Sequence, residues 1–238
     1  LEKEKNNIAI LADSGLEIRY HMPFQRVELA HRNEDHARSS LQYFKDCFDF
    51  IYEVGGKYVV THLCLGYRFA LDKMKYENAV DFLKQAVEYA AEKGITVCLE
   101  NLTYGFVNTP DAFLKFLSET GACATLDIGH VAASPIVTSG KLSSSDYIAR
   151  MLPHIRSAHI YDIEKINEKT KRAFHVAPLS KDSILSRLRM LLKSENCNWW
   201  LIELGSSDEI LRTTSFIHEI VNSNYDKNYR RIYNAEII

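Results

Sequence analysis

Short apolar runs alternate along the chain with longer stretches in which apolar residues recur every three or four positions. Six runs read as strands, at 16–21, 58–63, 96–101, 124–127, 157–161 and 199–204. They are continuous rather than alternating, as expected of strands covered on both faces. Between 74 and 93, Tyr76, Ala79, Val80, Leu83, Ala86, Val87 and Ala90 share one helical face, and Gly94 suits the residue just past a helix end. Leu41, Phe44, Phe48, Ile51 and Val54 make a second stripe, ended by Gly55-Gly56. Thr109-Pro110-Asp111 reads as a cap followed by proline in the first turn, and Ser143 to Ser145 with Asp146 start a helix that runs to Pro153. The stretch 163–180, rich in Lys, Glu and Asn, carries no such period and is expected to be a long functional or mobile loop. Strands alternating with helices predict a parallel α/β sheet. No Gly- or Ser-rich linker and no shift in composition breaks the pattern. A single domain over 1–223 follows, with a polar, tyrosine-bearing tail over 224–238.

Composition narrows the class. At 238 residues, 46% hydrophobic and 25% charged, the chain is an ordinary globular one with room for a sizeable core. A net charge of −2 offers no broad basic field and weighs against a nucleic-acid partner. The cysteines are Cys47, Cys64, Cys98, Cys123 and Cys197, an odd number without a CxxC pair, which reads as thiols in a reducing cytoplasm. No apolar run approaches the ~20 residues that cross a bilayer, and the polar start lacks a signal sequence. A cytoplasmic protein with no membrane partner is expected.

Chemistry-bearing residues gather where the strands end. The ends carry His21, His62, Glu100-Asn101, Asp127 with His130, His159 and Glu203. In a parallel α/β barrel such ends converge on one mouth. Apolar neighbours place Glu100, Asp127, His159 and Glu203 at the edge of a core, where charge is costly unless it is paired or bound to metal. Three carboxylates and one imidazole suit a catalytic Mn, Mg, Co or Zn ion better than a thiolate-rich structural zinc. A purely structural ionic network is the alternative.

The motifs Leu-Glu-Asn at 99–101, Asp-Ile-Gly-His at 127–130 and His-Ile-Tyr-Asp at 159–162, in that order and with His21 and His62, resemble the xylose-isomerase-like TIM-barrel superfamily. That group includes sugar-phosphate isomerases and epimerases, and the endonuclease IV branch of AP endonuclease family 2. The resemblance covers residues from about 16 to 205. It implies that Glu100, Asp127, His159 and Glu203 bind one divalent metal. It further implies that Glu100 and Glu203 act as acid and base on a carbon next to a carbonyl, with an enediolate stabilised by the metal. His21, His62, His130, His175 and Asn101 are expected around a carbohydrate substrate, with a further zinc at His21 and His62 as in the endonuclease branch. An isomerase or epimerase of a polyhydroxy carbonyl compound is the leading expectation, and a lyase would use the same parts. The alternatives are an endonuclease IV-like zinc phosphodiesterase acting on abasic DNA and a non-catalytic barrel.

Ala173 stands where the endonuclease branch has an aspartate two residues before the histidine matching His175, so the resemblance implies loss of a third zinc ligand. Ala177-Pro178-Leu179-Ser180-Lys181 also replaces a glycine-rich turn of the sugar branch. Six strand–helix units are visible where the barrel has eight, and residues 1–14 match the helix before the third strand. The first two strands thus have no counterpart. Open sheet edges are expected to be covered by the tail, by a homodimer partner, or by both.

Overall fold

Asn33 starts the first long buried helix, its side chain accepting hydrogen bonds from the Asp35 and His36 backbone N–H groups. In the computed structural model, which describes residues 2–23, 27–63 and 68–223, contacts cluster into two units, Leu1–Thr125 and Leu126–Ile238.

The first unit contains α1 (Glu2–Asp13), β1 (Tyr20–His21), α2 (Glu34–Glu53), β2 (Tyr58–Thr61), α3 (Tyr76–Glu92), β3 (Thr96–Glu100) and α4 (Pro110–Thr120). It ends within β4 (Cys123–Asp127). The strands are ordered β1-β2-β3-β4 and run parallel, with Val59 opposite Tyr20, Cys98 opposite Val60, and Thr125 opposite Glu100. Each expected strand is present, though β1 keeps only two residues of its apolar run. The α2 stripe of Ala37, Leu41, Phe44, Phe48 and Ile51 is buried, and α3 packs against it. Gly94, at φ +70°, takes the left-handed conformation past α3 that the sequence pattern reserves for glycine. Thr109 caps α4 by accepting from the Ala112 N–H at 3.3 Å.

Tyr76 packs edge-on against Phe106 and Phe116, and its hydroxyl donates to Glu119. Desolvation first, then the Glu119 carboxylate, push its phenol up to about 12. Folding therefore favours the protonated phenol. The stability it contributes is whole below the ordinary tyrosine range and is lost as pH rises through about 12. An alkaline absorbance titration of the wild type against Tyr76→Phe should show one late-ionising tyrosine missing from the variant.

The second unit begins with the last two residues of β4. It continues through α5 (Ile128–Ala133), α6 (Pro135–Thr138), α7 (Ser144–Met151), β5 (Ile155–Ile160), β6 (Ile163–Ile166), β7 (Ala173–Val176), α8 (Asp182–Leu191), β8 (Trp200–Ile202) and α9 (Ser207–Ser223). β5 lies between β4 and β8, and β5 and β8 are parallel. Ser143 caps α7 through its hydroxyl, which accepts from the Asp146 N–H at 3.0 Å. Tyr147, Ile148, Met151, Ile184 and Leu188 are buried where α7 meets α8. Trp199 and Trp200 are both half-buried.

The stretch 163–180 corrects the reading of a long irregular loop. Residues 163–176 fold as an antiparallel hairpin of β6 and β7, in the register Ile163 to Val176, Glu164 to His175 and Ile166 to Ala173. The Asn167 side chain organises the turn by accepting from the Lys169 and Thr170 N–H groups. Lys171 closes it at φ +56°. The basic run of Lys165, Lys169, Lys171 and Arg172 is exposed. The segment lacks a clear period because most of the hairpin faces solvent, so few apolar positions mark the strands.

No helix among the described residues is long and apolar enough to cross a membrane. Cys47, Cys98, Cys123 and Cys197 are reduced thiols, and Cys64 and the tail 224–238 lie outside the described residues.

Candidate functional site

Three strand ends of the first unit bring His21, His62 and Glu100 together. His21 closes β1, His62 follows β2, and Glu100 closes β3. The Glu100 carboxylate is buried, with Oε2 at 3.0 Å from His62 Nε2 and 3.7 Å from His21 Nε2. The two rings meet edge to face with centroids 4.8 Å apart. His21 Nδ1 donates to the Met22 carbonyl at 2.7 Å, and since a carbonyl only accepts, its proton sits on Nδ1. That contact turns Nε2 towards Glu100. One donor atom from each residue lies within 4.8 Å of the others. Asn101, beside Glu100, is buried as well.

In the second unit Asp127 is the last residue of β4 and also the N-cap of α5. Its Oδ1 accepts from the His130 N–H at 2.7 Å. Oδ2 lies 3.5 Å from His130 Nδ1 and 4.0 Å from His159 Nδ1. His159 Nδ1 in turn lies 3.1 Å from Glu203 Oε2. Asp127 and His159 are fully buried, whereas the Glu203 side chain is 38% exposed. Donors about 2.0–2.2 Å from one ion are roughly 3–4.3 Å apart, so these separations suit a shared divalent cation. The set is therefore compatible with the metal that the sequence implies: two carboxylates and one imidazole, with further positions open.

Two residues not singled out by sequence shape this site. Glu164, on β6, has Oε2 at 3.4 Å from His130 Nε2, and both side chains are under 10% exposed. Arg187, buried on α8, donates to the carbonyls of Ile128, Asp162 and Ser183 and to the Asp162 carboxylate. Its guanidinium thus ties the residue after Asp127 to the last residue of the His-Ile-Tyr-Asp motif. Glu164 carries no sequence signal beyond its place after that motif, and Arg187 belongs to no motif.

His175 sits on β7 and stacks on Tyr161 at 4.0 Å between centroids. Its Nδ1 donates to the Glu203 carbonyl at 2.9 Å. The Tyr161 ring lies directly over Gly129, where any added Cβ would overlap it. Gly129→Ala should therefore displace Tyr161, and with it His175, at a cost of about 1–3 kcal/mol. Urea unfolding of the variant checks this, and a change below the error of the fit would contradict it.

A family model described as xylose isomerase-like TIM barrel matches residues 5–223. An uncharacterized protein of Methanocaldococcus jannaschii is 27% identical over 165 residues, covering 69% of this chain and 67% of that protein. Among solved structures, a D-tagatose 3-epimerase-like protein superposes with a TM-score of 0.69 at 19% identity, covering 92% of this chain and 82% of its own. A xylose isomerase-like TIM barrel protein from Mycobacterium smegmatis, solved in complex with magnesium, gives a TM-score of 0.60 at 17% identity, covering 93% of this chain and 78% of its own. With strand ends carrying these donors and the match running over nearly the whole chain, the protein belongs to the xylose isomerase-like TIM barrel family.

Proposed function

We propose that the protein is a divalent-metal-dependent isomerase or epimerase of a sugar or related polyhydroxy carbonyl compound. The observation that carries this reading is the meeting of the Asp127 and Glu203 carboxylates at one imidazole nitrogen, His159 Nδ1. Asp127, His159 and Glu203 would hold the ion, and the motif order assigns Glu100 as its fourth ligand. When bound, the ion polarises the carbonyl and hydroxyl oxygens of the substrate. Glu203, the most exposed of the three second-unit donors, would take a proton from the carbon beside the carbonyl, and the resemblance gives Glu100 the complementary role. The His21 ring, about one-third exposed, is available to a substrate hydroxyl. The magnesium bound by the Mycobacterium smegmatis protein and the epimerase name of the other neighbour support the reading.

Incubation with ketoses in deuterated water tests it. The Mn- or Mg-loaded wild type should wash deuterium into the carbon next to the carbonyl. Glu203→Gln should slow that exchange roughly 10²–10⁴-fold. No exchange across a panel of ketoses and keto acids by fully loaded protein would sink the proposal.

A second reading is favoured by the His21, His62 and Glu100 cluster, which suits an additional zinc and hence phosphodiester cleavage. Incision of a duplex carrying one abasic site, with affinity falling steeply with salt, would select it.

A further inference from the structure

The resemblance leaves the position two residues before His175 to Ala173, and no acid on β7 accompanies that histidine. The hairpin supplies one from the other strand. Glu164 stands directly opposite His175 in the β6–β7 register, so the two side chains project from the same face. One donor atom from each of His130, Glu164 and His175 lies within 4.8 Å of the others.

Both imidazoles are oriented for ligation. His175 Nδ1 donates to the Glu203 carbonyl at 2.9 Å, so that nitrogen carries a proton and Nε2 is the nitrogen left to serve as a ligand. His130 turns Nδ1 to the Asp127 carboxylate at 3.5 Å and Nε2 to Glu164 Oε2 at 3.4 Å. Each ring thus has one nitrogen facing an oxygen outside the cluster, the kind of outer contact that orients metal-bound histidines. The Tyr161 ring stacked on His175 restricts that imidazole further.

We propose that Glu164 is a metal ligand and that, with His130 and His175, it holds a divalent cation distinct from the one assigned to Asp127, His159 and Glu203. Two imidazoles and one carboxylate suit zinc, cobalt, ferrous iron or manganese and leave coordination positions for water or substrate oxygen. His130 and His175 then belong to a metal rather than directly to a substrate. The proposal goes beyond the isomerase reading, because none of its three donors is among the four assigned there.

Cobalt(II) titration of the metal-free full chain, followed by visible absorption and elemental analysis, tests it on the wild type, Glu164→Gln and Glu203→Gln. Glu164→Gln should bind one equivalent fewer than the wild type, and Glu203→Gln should keep that equivalent with its absorption band. An unchanged count and affinity in Glu164→Gln overturns the proposal. If the wild type binds a single equivalent, its loss only in Glu203→Gln also overturns the proposal and leaves the four-ligand reading standing. Loss only in Glu164→Gln supports the proposal and removes the other reading. Should the Gln variant not fold, Glu164→Asp replaces it, with the same equivalent expected to bind about tenfold or more weakly. Unchanged affinity in Glu164→Asp overturns the proposal.

Discussion

Asp127→Asn should abolish tight metal binding and sugar exchange while leaving the metal-free protein as stable as the wild type, or more so. Asn retains an oxygen that accepts from the His130 N–H, so the α5 cap survives. It removes a fully buried negative charge facing His130 and His159, and it turns an N–H₂ group towards one or both imidazoles. A buried carboxylate without a cation is costly, so the apo state loses little and gains relief. The metal-bound state loses a ligand, and the affinity loss should exceed the roughly 10–100-fold that follows removal of an outer hydrogen-bond partner. Melting with and without excess Mn²⁺ or Zn²⁺ separates the two effects. The wild type should gain stability with metal concentration and the variant should gain much less. Asp127→Ala differs usefully, because it also loses the cap and should be about 1 kcal/mol less stable without metal. A large metal-dependent rise in the melting temperature of Asp127→Asn, equal to that of the wild type, would rule out Asp127 as a ligand.

Arg187→Met should be the most destabilising single substitution proposed, at about 3–5 kcal/mol. The residue is 5% exposed and its guanidinium satisfies three carbonyls and one carboxylate. Met fills similar space without donors, leaving the Ile128, Asp162 and Ser183 carbonyls and the Asp162 charge to find other partners. Arg187→Lys keeps the charge but has no planar fork, and should recover only part of the loss. Urea unfolding followed by far-UV circular dichroism measures both. Metal affinity should fall in the Met variant as well, since Ile128 follows Asp127 and Asp162 lies three residues past His159. A Met variant within 1 kcal/mol of the wild type, by that same scale for a broken buried pair, would show that Arg187 does not clamp these segments.

Much of the fold was legible because its causes are local. The α2 and α3 stripes, the Thr109 and Ser143 caps and Gly94 are dictated by residues within a turn of one another. The strands were legible as uninterrupted apolar runs, and the donors at their ends stood out because charge next to such runs needs a reason. The hairpin of β6 and β7 was not legible, because Lys165, Lys169, Lys171 and Arg172 face solvent and erase the period that marks a buried strand.

The sequence by itself determined the order of the six parallel strands and the helices between them apart from the β6–β7 hairpin, the family, and the residues His21, His62, Glu100, Asp127, His159 and Glu203 as the chemistry-bearing strand ends. Only the tertiary structure decided that Glu164 faces His175 across the hairpin, that the Glu203 carbonyl accepts from His175 Nδ1, and that Arg187 reaches Ile128 and Asp162. These depend on strand register and on hydrogen bonds between residues 28 and 59 positions apart in the Glu203–His175 and Arg187–Ile128 pairs. Such pairings leave no periodic trace in the chain, because a donor and its acceptor meet only once the backbone between them has folded.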